Sequence, residues 1–526
     1  MAENPPDLEE PIRPSGDPEG VPLELRRMRN EGKPPVLLLH GASAQHATFC
    51  IPKGRSLAEF LWKNDYEPWL LDWRGSRRVT DALGDRGLDQ MRDVLDLDRA
   101  ASEDVPWALR TIAEARDAED FSERHKIHVV AHCLGAAVLA QMIAAGDPSV
   151  SDRLGRIVLL TIGLFYEPPL DGKIKGQFNV LDRLWNEGSV TLIDPRKPER
   201  ENRWPLALRR VYEGIGSGLR PHPQADVEPL CSHALCNRVS FMYGAPFRHS
   251  NLVGEIHGWS TVRFQKGEAQ PGPGERLHTA FVAEEPPGDE AGVGGPAPLL
   301  AEPSLPRSSI GFVRDVKLES GSWRRGDAAG TFELVGSVGK FPADALLGNT
   351  KLGHYELRAN DQTIATCQGK PHPDRPAELG KQFGGIPLRM YLQGALNVRR
   401  RWAAKFPSDR SAKLQSDNTL INRDARERFH RLPAVTLITG EHNQLWHRDS
   451  INRMHEWVTA GLTGKTRERF TKEIIPDYGH QDLLWGESAE KDVFPIILGK
   501  GLGGDDTIIL VDDDPSGPTP GPTSNA

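Results

Sequence analysis

The chain has 526 residues, more than one hydrophobic core ordinarily organises, so two or more structural units are expected. Its formal net charge of −8 argues against nucleic acid as a partner, and no apolar stretch reaches the 18 residues of a membrane span. The 52 glycines and 42 prolines indicate a folded core interrupted by loops and linkers.

The amino-terminal residues 1–20 are acidic and proline-rich and are predicted to form a disordered tail. They lack the basic start and apolar core of a signal peptide. Five cysteines in so long a chain do not indicate a disulfide framework, so a reducing cytoplasm is the expected location. Cys133 would then remain a free thiol.

Short apolar runs alternate with helical spacing through the first third of the chain. A helix is predicted over residues 101–118, and a strand that turns into a helix over 127–140. The other predicted strands are "LELRRMRN", "PPVLLLHGAS", "YEPWLLDWRGS" and "GRIVLLTIG". This alternation favours a mostly parallel sheet with helices on both faces, which is an α/β fold.

The alternating pattern stops near residue 164 and returns near 433, where "AVTLITGEHN" and "FTKEIIPDYGHQD" read as strands around a helix. The predicted core therefore consists of residues 21–165 and 425–502. Residues 503–526 are predicted to be a second disordered tail.

The stretch between the two core segments contains two kinds of sequence pattern. Residues 166–255 and 378–424 have helical spacing and are predicted to form a cap. Residues 256–377 combine a low-complexity linker with alternating, turn-rich stretches, and are predicted to be an inserted small β domain.

The pentapeptide Ala-His-Cys-Leu-Gly has the form of a nucleophile elbow centred on Cys133. A strand that turns sharply into a helix lifts the central side chain out of the sheet, so small residues are needed two positions to either side. Ala131 and Gly135 meet that need, and His132 is expected to pack beside the elbow. The helix start is expected to favour a thiolate at Cys133. A buried, inert thiol is the alternative interpretation.

Two further stretches complete the pattern. "LLLHGAS" lies where an oxyanion loop is usual, so the backbone N–H groups of Ala42 and Leu134 are expected to hold a carbonyl oxygen as it becomes negative. "DYGHQD" places His480 after the last strand. His480 is expected to deprotonate Cys133, then to protonate the leaving group or to activate water.

The acid position departs from the usual pattern, because Asn443 takes the place of the aspartate in the expected pattern Gly-x-x-Asp. An amide oxygen can still orient an imidazole, and a thiol, being more acidic, needs less anionic help than a serine hydroxyl. Cys133, His480 and Asn443 are therefore the predicted catalytic set, as in papain-like proteases on another fold. Glu441 and Asp449 are the candidate substitutes for the missing acid.

These motifs resemble those of an α/β-hydrolase. More closely, "HVVAHCLGA", "CNRVSFMYGAPFRHSNL", "ITGEHNQLWHRDS" and "YGHQDLLWGESAEKDVFPIIL" resemble the hydrolase-like module at the C-terminal side of bacterial GMC-type (cholesterol-oxidase-like) oxidoreductases. Residues 308–369 resemble an accessory β module of the same proteins, and the cysteine elbow is also similar to that of polyhydroxyalkanoate synthases. The resemblance implies acyl chemistry on an α/β-hydrolase fold with a large helical cap and an inserted β unit.

No cofactor and no metal are predicted. The flavin-binding half of those oxidoreductases has no counterpart here, since no G-x-G-x-x-G follows a first strand. Cys231 and Cys236 have the spacing C-x₄-C but lack the second ligand pair of a zinc site.

The sequence thus predicts a cytoplasmic hydrolase that cleaves an acyl ester or thioester through a covalent acyl-cysteine. The large cap favours a bulky or lipid-like acyl substrate. Two alternatives stay open: an acyltransferase similar to polyester synthases, and a non-catalytic partner module of a separately encoded GMC-type oxidoreductase.

Overall fold

A computed structural model describes the chain in nine ranges with side chains, together with the backbone of strands between residues 192 and 369. The nine ranges are 5–14, 20–117, 126–146, 152–169, 173, 381–406, 419–443, 445–486 and 488–503. The chain divides into two compact units. The first comprises residues 1–225, 237–253 and 380–526, and the second comprises 226–236 and 254–379.

Seven strands form the central sheet of the first unit, in the order β1-β3-β2-β4-β5-β6-β7. They are β1 Glu24–Arg27, β2 Pro35–Leu39, β3 Glu67–Asp72, β4 Ile127–His132, β5 Leu154–Leu160, β6 Val435–Gly440 and β7 Phe470–Ile475. β1 is antiparallel to β3, and the other neighbours pair in parallel. The predicted α/β-hydrolase fold is confirmed by this order.

Helices connect the strands of this sheet. The longer helices are α1 Leu57–Lys63, α2 Arg77–Gln90, α3 Val105–Asp117, α4 Leu134–Ala145, α5 Leu388–Arg400, α6 Arg423–His430 and α7 Asp449–Thr459. The short helical segments are His46–Phe49, Leu97–Arg99, Ala100–Asp104, Gly464–Glu468, Asp482–Trp485, Ala489–Asp492, Phe494–Ile496 and Ile497–Leu502. Among the described residues, no helix is both long and apolar enough to cross a bilayer.

The central strands are continuous apolar runs because both of their faces are covered. Every residue of β2, β3 and β6 is buried, as is every residue of β4 except His128. Parallel strands that are buried on both faces place their carboxyl ends at one edge of the sheet, where ligands bind in open α/β sheets. The loops after β2, β4, β6 and β7 therefore meet at that edge, and these loops carry the predicted site residues.

The predicted disordered tail is wrong for part of residues 1–20. Ile12 forms an antiparallel bridge with Leu25 through two backbone hydrogen bonds, of 2.8 and 2.9 Å. Arg13 also pairs with the carboxylate of Glu24 at 2.6 Å. The strand β1 lies at an edge of the sheet, so its outer backbone groups need partners, and the amino-terminal segment supplies them.

The second unit contains strands that pair in antiparallel fashion throughout. They are Phe264–Lys266, Arg276–Val282, Val316–Lys317, Trp323–Arg325, Thr331–Gly336, Gly339–Lys340, Gly353–Ala359 and Gln362–Gly369. These strands lie within residues 256–377, and the boundaries of the inserted domain stay a prediction.

Most of the predicted cap lies outside the described residues, as do residues 504–526 of the second predicted tail. Within the cap ranges, α5 is described, and Leu192–Ile193 pairs in antiparallel fashion with Ile386–Pro387.

Candidate active site

Cys133 occupies the sharp turn between β4 and α4. Its φ of 55° and ψ of −130° are unusual for a residue with a side chain, and such strain is maintained when surrounding bonds hold the backbone. Its N–H donates to the carbonyl of Leu160 at 3.1 Å, while its own carbonyl accepts from Ala136 and Ala137 at 3.0 and 3.2 Å. The turn thus joins the end of one strand to the first turn of a helix and presents the thiol at the edge of the sheet.

Two glycines let the backbone close around the elbow. A Cβ on Gly135 would lie 2.4 Å from the carbonyl oxygen of His40 and 2.7 Å from that of Leu39, so a side chain cannot fit there without moving β2. A Cβ on Gly41 would lie 2.9 Å from the Cβ of Cys133. The loop after β2 therefore runs directly against the nucleophile position.

Two backbone N–H groups act on the sulfur of Cys133. They belong to Leu134 and Ala42 and favour the ionised form of the thiol, as does the neighbouring indole of Trp446. The structure thus brings together the two predicted oxyanion donors at one atom. Trp446 was not singled out from the sequence, although it lies in the motif "ITGEHNQLWHRDS".

The expectation of a resting thiolate is wrong. Burial raises the pKa of Cys133 from 9.0 to about 12, although Leu134, Trp446 and Ala42 act to lower it. The side chain is only 8% exposed, so loss of hydration outweighs the contribution of the helix start. Cys133 is therefore a neutral thiol at rest and needs a base at the moment of attack.

This raised pKa predicts a particular pH dependence of alkylation. The thiolate fraction of Cys133 should rise about tenfold per pH unit, without a plateau below pH 10, because the pKa lies near 12. The fold should lose stability as the pH rises above 9, because the buried site disfavours the ionised thiol that the unfolded chain accepts. Iodoacetamide labelling of Cys133, mapped by peptide mass, measures the rate, while far-UV circular dichroism reports folding. A plateau near pH 7 would instead show a preformed thiolate.

His480 lies in the loop after β7, fully buried beside the elbow. Its backbone carbonyl accepts a hydrogen bond from Nε2–H of His132 at 3.1 Å, and the two ring centroids are 4.9 Å apart. The Nδ1 atom of His480 is 3.2 Å from Oδ1 of Asn443. An oxygen there accepts a proton on Nδ1, which leaves the lone pair of a general base on Nε2.

Asn443 is held in one orientation by its neighbours. Its Oδ1 accepts from the backbone N–H groups of Leu445 and Trp446 at 3.0 and 3.1 Å, in addition to the contact with His480. Its Nδ2 donates to Oγ1 of Thr439 at 3.2 Å. Three N–H donors on one side and a hydroxyl on the other define which atom is oxygen, so the amide presents an acceptor to the imidazole.

The two candidate substitute acids lie at the surface. Glu441 is 42% exposed and pairs with Arg448 at 3.6 Å, and Asp449 is 58% exposed and pairs with His447 at 3.1 Å. Both carboxylates are thus exposed to solvent, whereas Asn443 is buried. The oxygen of Asn443 is the atom that accepts the hydrogen bond from Nδ1 of His480.

A buried tyrosine lies next to this group. Tyr166 packs edge-on against Trp446, with ring centroids 5.4 Å apart, and its hydroxyl accepts from Nε2 of Gln141 at 3.3 Å. Burial raises the pKa of Tyr166, so the hydroxyl stays neutral and can donate a hydrogen bond. No motif in the sequence points to Tyr166, because it lies just past a strand in a stretch without a recognisable pattern.

The other residues considered for chemistry fall outside the described residues, namely Cys231 and Cys236. Among the residues that the structure does describe, no group of three or more His, Cys, Asp or Glu side chains could hold a metal ion.

Comparison with known proteins gives one family match. Residues 36–262 match the sequence model of the Alpha/beta hydrolase family. No curated protein matches the chain.

Solved structures resemble the chain at low identity. A Bacillus licheniformis lipase shares 15% identity over 27% of this chain and 46% of its own, with a TM-score of 0.19. Potato (Solanum tuberosum) epoxide hydrolase I shares 18% identity over 34% of this chain and 46% of its own, with a TM-score of 0.23. A monoglyceride lipase variant from Saccharomyces cerevisiae shares 10% identity over 94% of each chain, with a TM-score of 0.37. The chain thus spans less than half the length of the first two proteins.

The family match covers less than half of the chain, and over those residues it agrees with the α/β-hydrolase fold that the sheet order shows.

Proposed function

We propose that the chain hydrolyses an acyl ester or thioester through Cys133, His480 and Asn443, with a covalent acyl-cysteine intermediate. Cys133 is the nucleophile, His480 the general base and acid, and Asn443 the group that orients the imidazole. The N–H groups of Ala42 and Leu134 hold the carbonyl oxygen. No cofactor or metal takes part in the scheme.

In the first half of the reaction, the sulfur of Cys133 attacks the carbonyl carbon as its proton passes to Nε2 of His480. The carbonyl oxygen becomes an oxyanion and accepts hydrogen bonds from the two backbone N–H groups. The sulfur loses its contacts with these groups as it moves toward the carbon. Collapse of this intermediate breaks the bond to the leaving alcohol or thiol, which takes the proton from His480. The enzyme then carries the acyl group as a thioester.

In the second half, water attacks the acyl-cysteine as His480 takes one of its protons. The new tetrahedral intermediate uses the same oxyanion donors. Its collapse releases the carboxylic acid and returns the proton to the sulfur of Cys133, which restores the neutral thiol.

The observation that carries this proposal is the convergence of the Ala42 and Leu134 N–H groups on a thiol held in strained backbone geometry. An inert buried cysteine needs neither the strained turn nor two N–H donors from separate loops. The 3.2 Å contact between His480 and Asn443 adds an oriented imidazole at the same edge of the sheet.

A panel of acyl esters and acyl thioesters of increasing chain length tests the proposal. Wild-type protein should release the alcohol or thiol from at least one class, and Cys133→Ala should lower kcat/KM by at least about a thousandfold. Cys50→Ala is the matched control, because Cys50 is the other cysteine with a described side chain. Turnover that survives in Cys133→Ala at the wild-type rate would overturn the proposal.

The partner-module alternative is favoured by the burial of Cys133, whose side chain is only 8% exposed. A thiol that stays protonated and never meets a substrate is what a non-catalytic module would contain. A panel without turnover, together with capture of a GMC-type oxidoreductase by the full chain, would favour that alternative. The acyltransferase alternative predicts that added alcohols raise the rate of acyl transfer above that of hydrolysis.

A further inference from the structure

Three buried polar side chains lie behind the loop that carries Ala42. His40 and Asp72 are fully buried, and His46 is 8% exposed. The carboxylate of Asp72 accepts from Nδ1 of His46 at 2.6 Å and from its backbone N–H at 2.9 Å, and lies 3.4 Å from Nε2 of His40. The proposed reaction uses none of these three groups.

Asp72 is ionised in this setting. Burial acts to raise the pKa of Asp72, but the imidazoles of His40 and His46 beside the carboxylate outweigh it and hold the pKa below its ordinary value. A negative charge thus lies behind His40, on the side away from the loop.

The other nitrogen of His40 points at the loop. Its Nδ1 lies 2.7 Å from the carbonyl oxygen of Gly41, and because a carbonyl oxygen can only accept, Nδ1 donates to it. For the same reason the Nε2 that faces the Asp72 carboxylate is a donor as well. The carbonyl of Gly41 and the N–H of Ala42 belong to the same peptide group. A hydrogen bond on that carbonyl draws electron density through the amide resonance, so the N–H becomes a stronger donor.

We propose that His40 is a positioning residue that strengthens the Ala42 N–H as an oxyanion donor, and that Asp72 holds its ring. The carboxylate of Asp72 contacts Nε2 of His40, and Nδ1–H of His40 donates to the carbonyl of the Gly41–Ala42 peptide. The N–H of the same peptide donates to the developing oxyanion. This inference rests on the proposed function, because the same N–H serves both.

Removal of the His40 donor is expected to destabilise the transition state and to leave substrate binding unchanged. The carbonyl of a bound substrate carries little charge, whereas the tetrahedral oxyanion carries a full one, so a stronger donor acts mainly on kcat. A residue that merely supports the fold would instead lower thermal stability or change KM.

Two variants of His40 separate the donor from the ring. His40→Phe keeps a ring beside Trp73, whose centroid is 5.9 Å away, but removes the donor. His40→Asn places an amide N–H near the position of Nδ1 and so keeps the donor. His46→Phe is the matched control, since His46 contacts the same Asp72 but not the Gly41–Ala42 peptide.

His40→Phe should lower kcat about tenfold with KM within about twofold, and should weaken binding of a trifluoromethyl ketone analogue by the same factor. His40→Asn should recover most of this loss, and His46→Phe should keep the wild-type values. Wild-type turnover combined with an unchanged kcat in His40→Phe would overturn the inference and leave the proposed function standing.

A second measurement does not depend on turnover. The chain contains four Gly-Ala peptides, so labelling with carbonyl-¹³C glycine and ¹⁵N alanine gives four amide signals, and Ala42→Ser, which removes one labelled alanine, assigns the one from Ala42. His40→Phe should move the Ala42 amide proton upfield, toward a weaker donor, and His46→Phe should not. Equal shifts in the two variants, or none in His40→Phe, would contradict the inference even if the chain hydrolyses nothing.

Discussion

Replacing His480 with alanine is expected to lower kcat/KM for the best substrate of the panel about ten-thousandfold. The raised pKa of Cys133 makes the loss large, because a neutral thiol near pH 7 depends on a base to give up its proton. The alanine also removes the proton donor for the leaving group and the base for deacylation. Steady-state rates at pH 7, with circular dichroism to confirm folding, give the measurement.

The matched control for this substitution is His447→Ala. His447 lies four residues after Asn443 in the chain, is 44% exposed and pairs with Asp449. Its removal should leave kcat/KM within about twofold. If His480→Ala kept more than about a tenth of the wild-type rate while folded, His480 would not be the base and the proposed mechanism would fail.

The second large effect is expected when the nucleophile Cys133 and the orienting residue Asn443 are exchanged together. A serine at position 133 with Asn443 unchanged should be nearly inactive, because a serine triad with an amide in place of its aspartate loses about ten-thousandfold. Adding Asn443→Asp should raise the rate of Cys133→Ser about a hundredfold. In the cysteine background, Asn443→Asp should change the rate by less than about threefold, since a thiol needs less anionic help.

These four proteins form a double-mutant cycle with an expected coupling of about 2–3 kcal/mol. The site offers an aspartate the same donors that Asn443 has, namely the N–H groups of Leu445 and Trp446. The Thr439 hydroxyl, now bonded to the carbonyl of Gly440 at 3.5 Å, can turn to donate to the second carboxylate oxygen. Purely additive effects would show that the thiol and the amide are not functionally matched.

Much of the fold could be predicted from the sequence because the decisive signals are local. The strands β2, β3 and β4 are short apolar runs flanked by small and polar residues, and their residues are buried as such runs require. The elbow could also be predicted, since the steric requirement for small residues around Cys133 involves only the five residues 131–135. The contact between His480 and Asn443 follows from chain order and parallel strands, which bring their loops to one edge.

The ionisation of Cys133 could not be predicted, because it depends on contacts between distant segments. The helix start was visible in the sequence, but the pKa depends on the burial of the thiol in the folded chain and on residues as distant as Trp446, more than three hundred residues along the chain. The pairing of His40 with Asp72 was hidden for a similar reason. It depends on two strands lying side by side, and neither "LLLHGAS" nor "LLDWRGS" indicates the other as its partner.

The amino-terminal correction has a physical reason of the same kind. Composition predicted disorder for residues 1–20, but the open edge of β1 provides backbone partners that composition cannot reveal.

Trapping the acyl-enzyme tests the central claim most directly. Wild-type protein is mixed with an activated ester of the preferred acyl chain, quenched in acid within the first turnovers, and examined by intact mass and peptide mapping. The mechanism predicts a mass increase of one acyl group, located on Cys133 and sensitive to hydroxylamine, that is absent in Cys133→Ala. Substrate turnover without acylation of Cys133, or with the acyl group on another residue, would contradict it.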